Sequence, residues 1–311
     1  MVNLAVNLAP GREPGLALRN PVMVASGTFG YGTEYASLVD VQRLGAIVCK
    51  GTTMRPRSGN PSPRTIETPA GMLNSIGLQN IGLRSLIREK ASLWRKWAVP
   101  VLVNISGDSV EEYAEMARQL DEVAGVAGLE VNISCPNVAG GGMIFGASPD
   151  MAAEVTAAVR QATTLPVMVK LTPNAADVPA VAQAVEEAGA DCISLVNTFL
   201  GMYIDINQRK PLLFNGRGGL SGPAIRPMAL RLVYEVCQSV KIPVAGLGGI
   251  TDTFSALQFL MAGATAIQVG TATFANPQTA TEIIDGLVDW LEKQHIGDVS
   301  DIIGAALPGK A

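Results

Sequence analysis

Histidine is almost absent from this chain. The single one, His295, sits in a polar stretch near the C-terminus. That argues against Ser-His-Asp and Cys-His catalysis, and leaves Cys, Lys, Asp, Glu or Tyr to supply any base. Cysteine is sparse as well. Cys49, Cys135, Cys192 and Cys237 lie far apart with no C-x-x-C pair, a spacing that speaks against a metal or iron–sulfur site and suits free thiols in a reducing cytoplasm. Only 16% of the 311 residues are charged, the formal net charge is -4 and the pI is near 5.2. With no run rich in Lys or Arg, there is no electrostatic case for nucleic acid. Long apolar runs are missing too: no window approaches the ~18 residues of a membrane span. The opening "MVNLAVNLAPGREPG" lacks a basic region followed by a long apolar stretch, so no signal peptide is expected. The expected location is cytoplasmic.

What the chain does have is apolar residues, 48% of the total, enough for a large core. Two average domains would fit this length, but α/β barrels of the same size are single units. Short apolar runs alternate with amphipathic stretches: "PVMVAS" (21–26), "AIVCKGTT" (46–53), "PVLVNIS" (100–106), "LEVNISC" (129–135), "PVMVKLTP" (166–173), "CISLVNT" (192–198), "PVAGLGGI" (243–250) and "AIQVGTATF" (266–274). Near-continuous apolar strands joined by helices indicate a parallel sheet covered on both faces. Eight such units predict one closed (β/α)8 TIM barrel over residues 1–311, with a doubly wound open sheet as the alternative. Three connections, 54–83, 136–148 and 199–225, are long and rich in Gly, Pro, Asn and Arg. They follow strands two, four and six, where barrels build their active sites. The opening "VNLAVNL…LALRN" predicts a hairpin plugging the barrel bottom.

One tetrapeptide occurs twice, in "VLVNISG" and "LEVNISCPN". Period-two alternation puts Val131 and Ile133 against the helices and turns Asn132 and Ser134 inward. Asn104 does the same one strand earlier. Cys135 falls at the strand end, where Pro136 stops the ladder. Ser26, Lys50, Lys170 and Asn197 occupy similar places on other strands. Any one of them alone reads as a solvated strand terminus. Two lysines and three asparagines converging on one rim point instead to an anionic ligand, because a buried Lys needs a partner. After strands seven and eight, Gly248, Gly249, Gly270 and Thr271 can present backbone N–H groups to a phosphate together with a helix N-terminus, with a tight turn as the lesser reading of the Gly-Gly. A thiol beside a phosphate-anchored cofactor fits flavin chemistry or phosphosugar lyase chemistry.

The stretches "NISCPN", "VCKGTT", "NPSPRTIETPAGMLNSIGLQN", "VKLTPN", "LVNTFLGMYIDI", "GGLSGPAIRP" and "GLGGI…AGATAIQVGTA" together resemble the dihydroorotate dehydrogenase family, most nearly its class 1B catalytic subunits. The likeness runs from about residue 3 to 292 and is less clean around Phe214–Arg217. It implies an FMN barrel that oxidises dihydroorotate to orotate in pyrimidine biosynthesis. By the resemblance, Cys135 is the base. Lys50, Asn74, Ser75, Ile76, Gly77, Leu78, Asn132, Asn197 and Thr198 bind substrate. Ser26, Lys50, Gly51, Asn104, Asn132, Lys170, Val196, Gly222, Gly248, Gly249, Gly270 and Thr271 hold FMN. It further implies a heterotetramer built on a homodimer, with a partner subunit that carries FAD and a [2Fe–2S] cluster and passes electrons to NAD. Class 2 enzymes carry Ser in place of this Cys and an N-terminal membrane segment, and neither is found here. The alternatives are a fumarate-linked class 1A enzyme, a dihydropyrimidine dehydrogenase-like barrel, a Schiff-base lyase using Lys50 or Lys170, and a non-catalytic metabolite-binding barrel.

Overall fold

In the computed structural model, which describes residues 2–134 and 145–309, the eight apolar runs become eight parallel strands that close on one another. They are β1 (Val22–Val24), β2 (Ala46–Val48), β3 (Val101–Ile105), β4 (Gly128–Asn132), β5 (Val167–Lys170), β6 (Cys192–Leu195), β7 (Val244–Leu247) and β8 (Ala266–Val269). Each pairs with its sequence neighbours, and β8 pairs with β1. The chain is a (β/α)8 barrel, and the open sheet is excluded. Every strand is shorter than the run that predicted it. The ladder ends a few residues early, so Ser26, Lys50 and Asn197 stand just beyond their strands on the C-terminal rim.

Helices α1 (Val110–Leu120), α2 (Pro149–Ala162), α3 (Val178–Glu187), α4 (Arg226–Ser239), α5 (Thr253–Met261) and α6 (Thr279–Lys293) follow β3 to β8 in turn. Side chains of Ser109, Ser148, Asp177 and Asp252 accept N-terminal amide hydrogen bonds at α1, α2, α3 and α5, supplying acceptors for donors that a helix start leaves unpaired. The first two crossovers depart from this pattern. Only the short turn Val41–Arg43 follows β1, and an irregular helical stretch over 83–94 follows β2.

Two of the long connections carry structure that their composition hides. Phe199–Gly201, Gly218–Ser221, Gly71–Asn74 and Thr65–Thr68 form a four-stranded antiparallel sheet in that order, with Gly219 opposite Asn74. Strands this short, rich in Gly and paired across distant segments, leave little periodicity to read. Most of the third connection, 136–148, lies outside the described residues.

The N-terminal hairpin pairs Val6 with Leu18 and Asn7 with Ala17. Its Leu8, Ala9, Leu16 and Leu18 pack with Met23, Ala46, Val48, Leu102, Met168, Cys192, Ala245 and Ala266, the lower inward-facing layer of the strands. The barrel bottom is thus closed by apolar contact. A charged clamp adds to it: Asp191 receives Arg12 of the hairpin at 2.7 Å, Arg160 of α2 at 2.9 Å and the Val167 amide at 2.8 Å. Replacing Asp191 with Ala leaves two guanidinium groups facing each other and an unpaired amide. Urea unfolding should show a loss of about 2–4 kcal/mol. Arg12→Ala, which leaves Asp191 with its other donors, should cost about 1 kcal/mol.

Candidate functional site

Above the apolar layer, at the C-terminal ends of the strands, lies a cavity of about 450 Å³. Alternation along the strands decides what lines it. Val103, Ile105, Val131, Ile133 and Val169 point outward into the helix-facing core, so Asn104, Asn132 and Lys170 point in, and all three reach the cavity. Lys50, Gly51, Val196, Asn197, Thr198 and Ser26 join them from the rim. The antiparallel sheet and its neighbouring loop contribute Asn74, Ile76, Gly77 and Leu78. Gly222, Gly248, Gly249, Gly270 and Thr271 form the side next to β7 and β8. Two predicted residues stand apart. Ser75 is buried, and its hydroxyl takes hydrogen bonds from Asn60 and Asn215, away from the lining residues. Cys135 lies outside the described residues.

The repeated Asn residues belong to one hydrogen-bonded chain. Asn197 donates to the Ser134 hydroxyl at 2.6 Å, Ser134 donates to Asn132 at 2.8 Å, and Asn132 reaches Asn104 at 3.5 Å. Asn104 in turn donates to the Glu130 carboxylate at 2.6 Å. Each carboxamide is held by the next, so the rim is oriented before any ligand arrives. Lys170 is 4% exposed, its Nζ 3.4 Å from the Ser26 hydroxyl and 3.5 Å from Glu130. Burial pushes the Lys50 ammonium below its ordinary pKa, with the Arg64 charge in the same direction and Glu34 opposing both. Two cationic side chains therefore face one small cavity.

Glu130 and Gln268 join these residues without being singled out by any motif, and Ser134, inward-facing by alternation, serves as the link between Asn197 and Asn132. The signal was present, since the alternation that turns Asn132 inward turns Glu130 inward two residues earlier. Gln268 lines the cavity from β8, and its carbonyl oxygen is the one buried side-chain polar atom among the described residues without a hydrogen-bond partner. A buried orphan acceptor beside a cavity is what a ligand donor would satisfy.

The glycine side is also shaped for a ligand. Gly249 has φ +78, and a Cβ there would meet Arg226 at 2.7 Å and the Gly222 carbonyl at 2.9 Å. A Cβ on Gly270 would meet only Ala25, at 3.7 Å, itself a lining residue. Backbone geometry thus demands glycine at 249, whereas at 270 the protein has room and only the cavity would lose it. The N-terminus of α5 is already occupied, because Asp252 caps it through the Ser255 amide at 2.7 Å, whereas the short helix Ala272–Ala275 after β8 starts at Thr271 without a side-chain cap, and Ala272 lines the cavity.

These features define a class: a closed α/β barrel whose strand ends carry a polar, cationic cavity with a glycine-lined wall. The family profile described as Dihydroorotate dehydrogenase matches residues 11–291. The chain belongs to the dihydroorotate dehydrogenase family. It is 54% identical over 303 residues to the "Dihydroorotate dehydrogenase B (NAD(+)), catalytic subunit" of Pelobacter propionicus, covering 97% of this chain and 98% of that one. The protein of the same name from Desulforamulus reducens is 53% identical over 305 residues, covering 98% and 99%. The crystal structure of DHODH from Eimeria tenella in complex with ferulenol superposes with a TM-score of 0.81 at 22% identity, over 98% of this chain and 89% of that one, a likeness of fold.

Gly249→Ala should lower stability by about 2–3 kcal/mol, from left-handed backbone strain plus the clash. Gly270→Ala should stay within ~0.5 kcal/mol of the parent while reducing the flavin retained on purification. Thermal unfolding and bound-flavin absorbance check both.

Proposed function

We propose that this chain is the catalytic subunit of an NAD-linked dihydroorotate dehydrogenase, oxidising dihydroorotate to orotate in pyrimidine biosynthesis with FMN in the barrel mouth. The observation that carries the reading is the cavity. Lys50, Asn74, Asn132, Asn197 and Thr198 come from separate stretches of sequence and line one space, and the named catalytic subunits match the chain almost end to end.

The residues present fit the cofactor. Gly222, Gly248, Gly249, Gly270 and Thr271 would hold its phosphate end, where a side chain would intrude. Ser26, Gly51, Asn104, Asn132, Lys170 and Val196 would hold the ring. When bound, FMN supplies a two-electron acceptor for hydride from the substrate carbon. The rest falls to the protein. Lys50 and the carboxamides of Asn74, Asn132 and Asn197, with Thr198, would grip a flat, polar, anionic pyrimidine through complementary donors and acceptors. Ser75, Ile76, Gly77 and Leu78 belong to the same substrate loop. Ser75 acts there from behind, through Asn60. Lys170 would place positive charge at the edge where negative charge develops.

A base must take a proton from the carbon next to the one that loses hydride. By the resemblance that "NISCPN" carries to the family, Cys135 would fill that role. Cys49 and Cys192 are fully buried, and burial pushes both thiols up, Cys49 to about 12. Cys237, on α4, is pushed to about 12 in the same way. None of these three is poised to react at neutral pH.

Electrons then leave the chain. Among the described residues, no helix is long and apolar enough to cross a membrane, and no three His, Cys, Asp or Glu side chains gather as a metal site. The words "catalytic subunit" in the relatives' name support a second protein, which would carry FAD and a [2Fe–2S] cluster. The assembly would be a cytoplasmic heterotetramer built on a homodimer.

Two measurements test this reading. Cys135→Ser should slow dihydroorotate oxidation with a dye acceptor by about 10²–10⁴-fold at neutral pH, the range of general-base catalysis. A rate within threefold of the parent would remove Cys135 from the role. The chain assayed alone should reduce neither NAD⁺ nor fumarate rapidly. Fast NAD⁺ reduction would contradict the partner requirement, and fast fumarate reduction would place the chain with class 1A.

A further inference from the structure

Three hydrogen-bond donors and one ammonium group converge on the Glu130 carboxylate. Its Oε1 accepts from the Ser194 hydroxyl at 2.8 Å and the Gln268 amide at 3.0 Å. Its Oε2 accepts from the Asn104 amide at 2.6 Å and lies 3.5 Å from the Lys170 ammonium. These groups stand on β3, β5, β6 and β8, so with β4 five of the eight strands meet at one side chain that is 0% exposed. A carboxylate offers about four lone-pair sites; here three accept hydrogen bonds and Lys170 supplies the opposite charge.

Two consequences follow for the cavity above. The first concerns orientation. A carboxylate cannot donate, so both carboxamides must turn their NH2 groups toward it. That directs Asn104 Oδ1 to Asn132 and leaves the Gln268 carbonyl without a protein partner. The second concerns charge. Burial pushes the Glu130 carboxyl up, but the Lys170 ammonium and the hydrogen bonds from Gln268, Asn104 and Ser194 outweigh it and hold the group below the usual carboxylate range. Lys170 therefore meets the cavity as half of an ion pair and not as a bare cation. A neutral amide at 130 would change both, since it has one acceptor oxygen for these groups and no charge to offset Lys170.

We propose that Glu130 is a positioning residue for the cavity floor, aligning the Asn104 and Gln268 carboxamides and setting the net charge that Lys170 presents to a bound flavin. This rests on the flavin reading of the cavity. A role in packing alone gives a different order of effects. Glu130→Gln keeps size and loses charge, whereas Glu130→Asp keeps charge and loses a methylene. If packing matters, Gln is the milder change; if charge matters, Asp is.

The test is the reduction potential of FMN bound to the full chain, measured by equilibration with a reference dye in the parent, E130Q and E130D. Removing the carboxylate leaves Lys170 uncompensated, and negative charge gained on reduction is then favoured. The equilibrium constant for reduction should rise about tenfold in E130Q, which is ~30 mV for a two-electron couple. E130D should stay within about threefold of the parent. E130Q within twofold of the parent, or shifted the other way, overturns the proposal. Should E130Q not fold, the pair K170M and K170M/E130Q carries the test, because removing both partners leaves no uncompensated buried charge. With FMN in excess, the double variant should be reduced at least about tenfold more readily than K170M alone, and equal values overturn the proposal. The two readings fail separately. A parent protein that takes up no flavin ends the functional reading, while a flavin-loaded parent whose potential E130Q matches ends only this inference.

Discussion

Closing eight parallel strands into a barrel gives every second side chain an address that water cannot reach. Everything distinctive about this structure follows from how the chain fills those addresses. In the lower layer they hold Met23, Ala46, Leu102, Met168, Cys192, Ala245 and Ala266, sealed from below by the leucines of the hairpin. One step up they hold Asn104, Glu130, Lys170, Ser194 and Gln268, all buried. Polar groups placed there cannot turn to solvent, so they must satisfy one another or a ligand. The result is a polar floor that is rigid because it is saturated, with unused capacity only where a ligand would sit.

That division separates stability from function along the barrel axis. The bottom half is held by apolar contact and by the Asp191 clamp, far from the cavity. The upper half spends its polar groups on the site. Lys170 illustrates the balance. Its ion pair with Glu130 keeps the ammonium occupied, which suits an electrostatic role beside a cofactor and argues against use as a Schiff-base nucleophile. The carboxamides of Asn104, Asn132 and Asn197 are likewise held by neighbours, so a ligand would meet groups already in place.

Much of this was legible in the residues before any coordinates. Eight apolar runs gave eight strands, and period-two alternation placed Asn104, Asn132 and Lys170 inside. The loops after strands seven and eight supplied the glycine wall. Other features left no comparable mark. In the sheet formed by 65–68, 71–74, 199–201 and 218–221, the central pairing joins 71–74 to 218–221, more than a hundred residues away, and no local pattern encodes such a partner. Ser75 sits among lining residues in sequence yet faces away, because the β geometry around Asn74 alternates and the loop then turns. Glu130 went unnoticed since an acidic residue in an apolar strand draws attention only once its four partners are known. Cys135 lies outside the described residues, and its proposed role rests on the family resemblance of "NISCPN".

The proposed function requires the cavity to bind FMN and present it to dihydroorotate. The most direct measurement is the visible spectrum of the purified full chain, recorded anaerobically before and after dihydroorotate is added. The expected result is a yellow protein with one FMN per chain, whose absorbance bleaches at once with formation of orotate. A colourless protein that takes up no FMN, or a flavin spectrum indifferent to dihydroorotate, would contradict it.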